Sequence, residues 1–66
     1  MEIREWCVSF RTMGRKDRGK EIIIGHGGKI TEAHQNGNFF VLWYVANDED
    51  DAKITELLEN EGLIGM

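Results

Sequence analysis

Seven consecutive apolar residues, Phe39-Phe40-Val41-Leu42-Trp43-Tyr44-Val45, constrain this chain more than anything else in it. The run is β-branched and aromatic, and Ala46 extends it before polar Asn47, so it reads as a strand. Alternate residues of a strand point to opposite faces. One set is Phe39, Val41, Trp43 and Val45; the other is Phe40, Leu42 and Tyr44. A strand that is apolar on both faces requires cover on both. In a chain of 66 residues there is little material to supply it, because domains this short bury only about 60% of the surface exposed by the unfolded chain.

The other elements follow from period and punctuation. From Glu5 to Thr12, Trp6, Val8 and Phe10 alternate with Cys7, Ser9 and Arg11, which predicts a strand with one buried face. Gly14 to Gly19 is charged and bounded by glycine, and reads as a loop. Lys20 to Ile24, with its Ile22-Ile23-Ile24 core, reads as a second strand. Gly25-His26-Gly27-Gly28 forms a turn. Lys29 to Gln35 is a third strand, joined to the fourth by a hairpin about Asn36-Gly37, the dipeptide suited to a type I′ turn. From Asp48 to Glu61 the period becomes helical, with Ile54, Leu57 and Leu58 on one face. Asn47 is the expected N-cap, and Asp48, Glu49, Asp50 and Asp51 lie beside the positive end of the helix dipole. Gly62 suits a Schellman closure that returns Leu63 to Leu58. The expected fold is therefore one α+β domain over residues 1–66: an antiparallel four-stranded meander, open or curled into a small barrel, followed by one C-terminal helix.

Composition narrows the functional classes. The longest apolar run, Phe39 to Ala46, is far short of the ~20 residues that span a bilayer, and the N-terminus lacks the pattern of a secretory signal. The single cysteine, Cys7, has no internal disulfide partner. A cytoplasmic protein is expected. Neither a nucleophile–base pair, nor paired carboxylates, nor closely spaced metal ligands can be discerned, so no enzymatic activity, cofactor, metal or small-molecule substrate is expected. His26, His34 and Cys7 lack zinc-site spacing, and Cys7 reads as a buried thiol. The glycine-rich turn matches no nucleotide-binding motif.

The net charge of −4 conceals an asymmetry. Through Ala33, Arg4, Arg11, Arg15, Lys16, Arg18, Lys20 and Lys29 stand against Glu2, Glu5, Asp17, Glu21 and Glu32. Beyond it, Lys53 is alone against Asp48, Glu49, Asp50, Asp51, Glu56, Glu59 and Glu61. Arg11, Arg15, Lys16, Arg18 and Lys20 form a basic cluster of the kind that neutralises phosphates, although an acidic isoelectric point near 5.0 is contrary to the usual footprint of a nucleic-acid-binding domain. Asp48, Glu49, Asp51, Glu56 and Glu59 offer an acidic helical surface suited to a basic partner.

In outline, short strands followed by Val45-Ala46-Asn47-Asp48-Glu49-Asp50-Asp51-Ala52 leading into Ile54, Leu57 and Leu58 resemble the small SH3-like barrels with a C-terminal helix, among them small archaeal chromatin proteins. The resemblance implies an architecture only. Those proteins are lysine-rich over the sheet, whereas this chain is acidic, so their DNA binding is not carried over. The function expected from the residues is protein binding, by self-association as a homodimer or with a heterologous protein. Phe39, Val41, Trp43 and Tyr44 of the aromatic strand and the acidic helix are the candidate surfaces. Compact acidic inhibitors of phages and mobile elements are compositional analogues. The alternative is a nucleic-acid-binding module that uses Arg11 to Lys20.

Overall fold

The computed structural model describes residues 2–64. Five elements follow one another: β1 (Ile3–Phe10), α1 (Met13–Gly25), β2 (Lys29–Asn36), β3 (Phe39–Asn47) and α2 (Asp48–Asn60). The sheet has three strands in the order β1-β3-β2, with β3 antiparallel to both neighbours. The expectation of four strands and one helix is thus overturned, although the α+β class holds. An open three-stranded sheet with free edges on β1 and β2 is also not the curled barrel that the meander reading and the SH3-like resemblance implied.

The error lies in one segment. Residues 14–19, read as a loop, and 20–24, read as a strand, form the single helix α1. Thr12 caps it, its hydroxyl accepting from the Arg15 N–H at 3.1 Å, and this satisfies one of the unpaired donors of the first turn. Gly19, Ile22 and Ile23 are its buried residues, spaced at i, i+3 and i+4 as one helical face requires. Ile24, the third residue of the triplet that looked like a strand, points outward and is 55% exposed. At the far end, Gly27 has a φ of +91° and the Gly28 N–H donates to the Ile23 carbonyl at 2.8 Å, closing the helix in the manner of a Schellman motif. The glycine-rich turn is therefore where it was expected, but it ends a helix.

Pairing register fixes which residues share a face. Trp6, Val8 and Phe10 of β1 lie opposite Tyr44, Leu42 and Phe40 of β3, and Ile30 of β2 also lies opposite Tyr44. This face receives both helices. Phe10, Leu42, Tyr44 and Ala46 form one buried cluster with Ile22 and Ile23 of α1, Ile54 and Leu58 of α2, and Leu63. Gly19 lets α1 approach closely, since a Cβ there would overlap the Phe10 ring.

α2 matches its expected bounds to within one residue. The Asn47 side chain accepts from the Asp50 N–H at 2.7 Å. At the C-terminal end Gly62 has a φ of +68°, Leu63 N–H donates to Leu58 O at 2.9 Å and Gly62 N–H to Glu59 O at 3.0 Å. These are the two bonds of the expected Schellman closure, and Leu63 is buried beside Leu58.

The β2–β3 hairpin exists but turns one residue later than expected. Asn36 is the last residue of β2 and pairs with Phe39, leaving Gly37-Asn38 as the two-residue loop. Only Gly37 has a positive φ, +62°, and no described non-glycine residue does. Glycine first with positive φ there alone is the pattern of a type II′ turn, not type I′.

Candidate binding surfaces

With both helices on one side, the opposite side of the sheet is uncovered. Its central row is Phe39, Val41, Trp43 and Val45 of β3. Cys7 of β1 and Glu32 of β2 lie on either side of Trp43, and Ser9 and His34 on either side of Val41. Phe39 is 47% exposed; Val41, Trp43 and Val45 are half-buried, shielded only by their neighbours in the sheet. Around this apolar row the charged groups are few: Glu5 and Lys29 beside Val45, and Glu32 beside Trp43.

Of the candidate residues on the aromatic strand, Phe39, Val41 and Trp43 share this surface. Tyr44 does not. It belongs to the helix-facing set, is 3% exposed, and donates its hydroxyl to Asp51 Oδ1 at 2.7 Å. Burial first, and then the bond to the Asp51 carboxylate, raises its pKa well above the ordinary tyrosine value. Cys7, expected to be buried, is exposed on the open face.

The acidic residues of α2 are divided among different tasks. Asp51 holds Tyr44, and Asp48 Oδ1 lies 3.4 Å from Arg4 Nε. Glu49, Glu56 and Glu59 remain as exposed carboxylates on the solvent side of the helix, on the opposite side of the molecule from the open sheet face.

The basic cluster is likewise broken up. Arg18 donates through Nε and Nη2 to the two carboxylate oxygens of Glu61, each at 2.9 Å, and through Nη1 to Glu21 at 3.2 Å. This fork-on-carboxylate geometry ties α1 to the end of α2. The hydrogen bonds to Glu61 raise the Arg18 pKa, and reciprocally the guanidinium lowers that of Glu61. Nothing in the sequence marks this pair, whose members are 43 residues apart. Lys16 contacts Asp17 at 2.8 Å. At about 100° per residue, Lys16 and Lys20 lie on one side of α1 and Arg15 and Arg18 on another, so the cluster is divided between two faces. Arg11 and Arg15 flank the Thr12 cap and form no ion pair among the described residues.

A shallow groove of about 180 Å³ beside β2 is lined by Lys16, Ala33, His34, Gln35, Phe40, Val41 and Leu42. It is smaller than the ~300 Å³ at which small-molecule sites begin, and no carboxylate or thiol lines it. Among the described residues, no three His, Cys, Asp or Glu side chains are grouped so as to hold a metal ion, and no helix is long and apolar enough to cross a membrane. No protein-family model, curated protein or solved structure matches the chain.

Proposed function

We propose that this protein is a non-enzymatic protein-binding module whose binding surface is the open face of the sheet. The observation that carries the reading is the uncovered row Phe39, Val41, Trp43 and Val45 on a sheet whose two helices both pack on its other side. Aromatic rings in a rigid, weakly charged setting are the usual anchors of protein interfaces. The occupant that fits is a protein surface with apolar side chains of its own, because little charge surrounds the row. Glu49, Glu56 and Glu59 form a second, acidic surface on the far side, suited to a basic partner in the manner of an inhibitor that occupies a basic site.

Trp43→Lys tests the reading. The substituted side chain projects from the open face, so the fold is retained, as checked by circular dichroism. A partner retained from lysate by the wild-type chain and lost by Trp43→Lys supports the proposal when the purified pair reproduces that difference. A Trp43 side chain inaccessible to acrylamide quenching in the isolated chain overturns it. Binding to random-sequence DNA that weakens steeply with salt and is unaffected by Trp43→Lys would instead assign function to the dispersed basic residues.

A further inference from the structure

On the open face, the residues that flank the apolar row follow a pattern that a second copy of the same face matches. Pairing register places Glu5, Val45 and Lys29 at one height, Cys7, Trp43 and Glu32 at the next, and Ser9, Val41 and His34 at the one beyond. β1 therefore contributes an acid followed by two short side chains, and β2 a base followed by two longer ones. Glu32 and His34 already approach each other at 3.8 Å. Glu5 accepts only a 3.5 Å contact from the Thr31 hydroxyl, and Lys29 forms no ion pair among the described residues.

We infer that the occupant of the open face is a second copy of this chain, packed face to face about a two-fold axis that runs along β3; the inference rests on the open-face reading and names its partner. Sheets packed in this way lie about 10 Å apart with their strands within about 30° of each other. Rotation about β3 keeps every residue at its height and exchanges the two flanking strands. Glu5 then faces the partner's Lys29, Cys7 the partner's Glu32 and Ser9 the partner's His34, each twice. Opposite charges meet at the rim, and long side chains lie over short ones. Along the axis Phe39, Val41, Trp43 and Val45 meet their own counterparts, with the aromatic pairs that anchor interfaces at Phe39 and Trp43. An axis across the strands instead lays β1 on the partner's β1 and β2 on the partner's β2, so short meets short and long meets long. Centred on the row, at the height of Leu42, it leaves Glu5 and Lys29 without an opposite charge. Displaced to the height of Tyr44, it brings Lys29 to the partner's Glu32 but carries Phe39, the most exposed residue of the row, off the end of the partner. Area excludes the remaining arrangements. Three strands of eight or nine residues, about 4.8 Å apart and rising about 3.4 Å per residue, present a face of roughly 14 by 27 Å. Two such faces cover roughly 800 Å² in projection, and more once the relief of the side chains is counted, so the ~1,000 Å² of a specific interface is reached only if the whole face is used. Sheets crossed at right angles overlap over about half of each face, and an axis displaced toward either edge uncovers a strand.

Charge exchange between Glu5 and Lys29 tests the pairing. Sedimentation of the full chain from micromolar to near-millimolar concentration is expected to show a dimer that Trp43→Lys abolishes. Glu5→Lys alone and Lys29→Glu alone each oppose like charges twice, and each weakens the homodimer by about tenfold. Mixed in equal amounts, the two variants restore both attractive pairs between chains, and native mass spectrometry is expected to show the heterodimer in excess. Both positions are exposed, so the fold is retained, as checked by circular dichroism. In a Trp6→Phe background, Trp43 of the dilute, monomeric chain is open to acrylamide, and its protection grows with chain concentration as the dimer forms. A monomer throughout the range with Trp43 quenched overturns this inference and leaves the open face to a different protein, whereas a monomer with Trp43 protected overturns the open-face reading as well. A dimer retained in Trp43→Lys, a dimer indifferent to both charge reversals, or a mixture without heterodimer preference also overturns the inference.

Discussion

Replacing Gly19 by alanine tests how closely α1 lies on the sheet. In an ordinary helix interior the change is favourable by about 0.5–1 kcal/mol, because glycine loses more backbone freedom on folding. Here a Cβ would overlap Phe10 Cζ and lie 2.6 Å from its Cε1. Phe10 is 1% exposed and held within the core cluster with Ile22, Ile23 and Leu42, so its ring has no free volume into which to retreat. Overpacking of this kind costs about 1–3 kcal/mol; set against the helical gain, the variant should lose about 1–2 kcal/mol, a fall in Tm of roughly 4–16 °C in a domain this small. Gly14, also in α1 but with nothing within 4 Å of a Cβ, provides the control: Gly14→Ala should be neutral or stabilising. Phe10→Leu shortens the ring that causes the clash, so Gly19→Ala and Phe10→Leu together should be more stable than the sum of their separate effects, by on the order of 1 kcal/mol. Thermal and urea unfolding of the four variants followed by circular dichroism provide the comparison. If Gly19→Ala is as stable as Gly14→Ala, α1 does not rest on Phe10.

Leu58, 1% exposed, should cost about 2–5 kcal/mol on truncation to alanine, and a urea midpoint close to wild type would mean that α2 is not docked. Gly37→Val places a β-branched residue at a φ of +62°; the expected loss is about 1–3 kcal/mol, and an unchanged Tm would place the hairpin turn elsewhere. Tyr44→Phe removes the 2.7 Å bond to Asp51 and should cost about 1–2 kcal/mol at neutral pH. Because folding raises the Tyr44 pKa, the stability linked to its proton is complete below the unfolded value near 10 and is lost as pH rises beyond it. The deficit of Tyr44→Phe should therefore narrow as pH rises above about 10; a deficit in urea unfolding that is the same at about pH 9 and about pH 11 would refute the linkage.

The C-terminal half of the fold is legible because its signals are local. Asn47 caps, Gly62 closes and Ile54 and Leu58 face inward on spacing and residue type alone, and a strand as apolar as β3 can be read without knowing its neighbours. The first helix is not legible in the same way. Its buried face consists of only Gly19, Ile22 and Ile23, and one of these is a glycine whose contribution is absence of a side chain. Three consecutive isoleucines give a strong β signal, yet the third is left in solvent. The helix is established by relations between distant residues, Phe10 over Gly19 and Arg18 with Glu61, and tertiary contact overrides local propensity there.

The requirement for two-sided cover on β3 survives this correction and becomes more specific. Had the segment 20–24 been a fourth strand, the sheet would have had the width to curl over its own second face, and the aromatic row would have had an internal solution. As a helix it adds its apolar residues to the side already served by α2, and it leaves a sheet too narrow to close. Tyr44, counted with Phe39, Val41 and Trp43 from the sequence because all are aromatic or apolar neighbours, is removed by its register opposite Trp6 and Ile30. What remains on the outer face is one strand's odd-numbered row, bordered by β1, whose register is unbroken, on one side and by β2, with its bulge between Ile30 and Glu32, on the other. A partner bound as proposed on the open face would therefore meet an asymmetric surface, regular on the β1 side and interrupted on the β2 side by the bulge between Ile30 and Glu32.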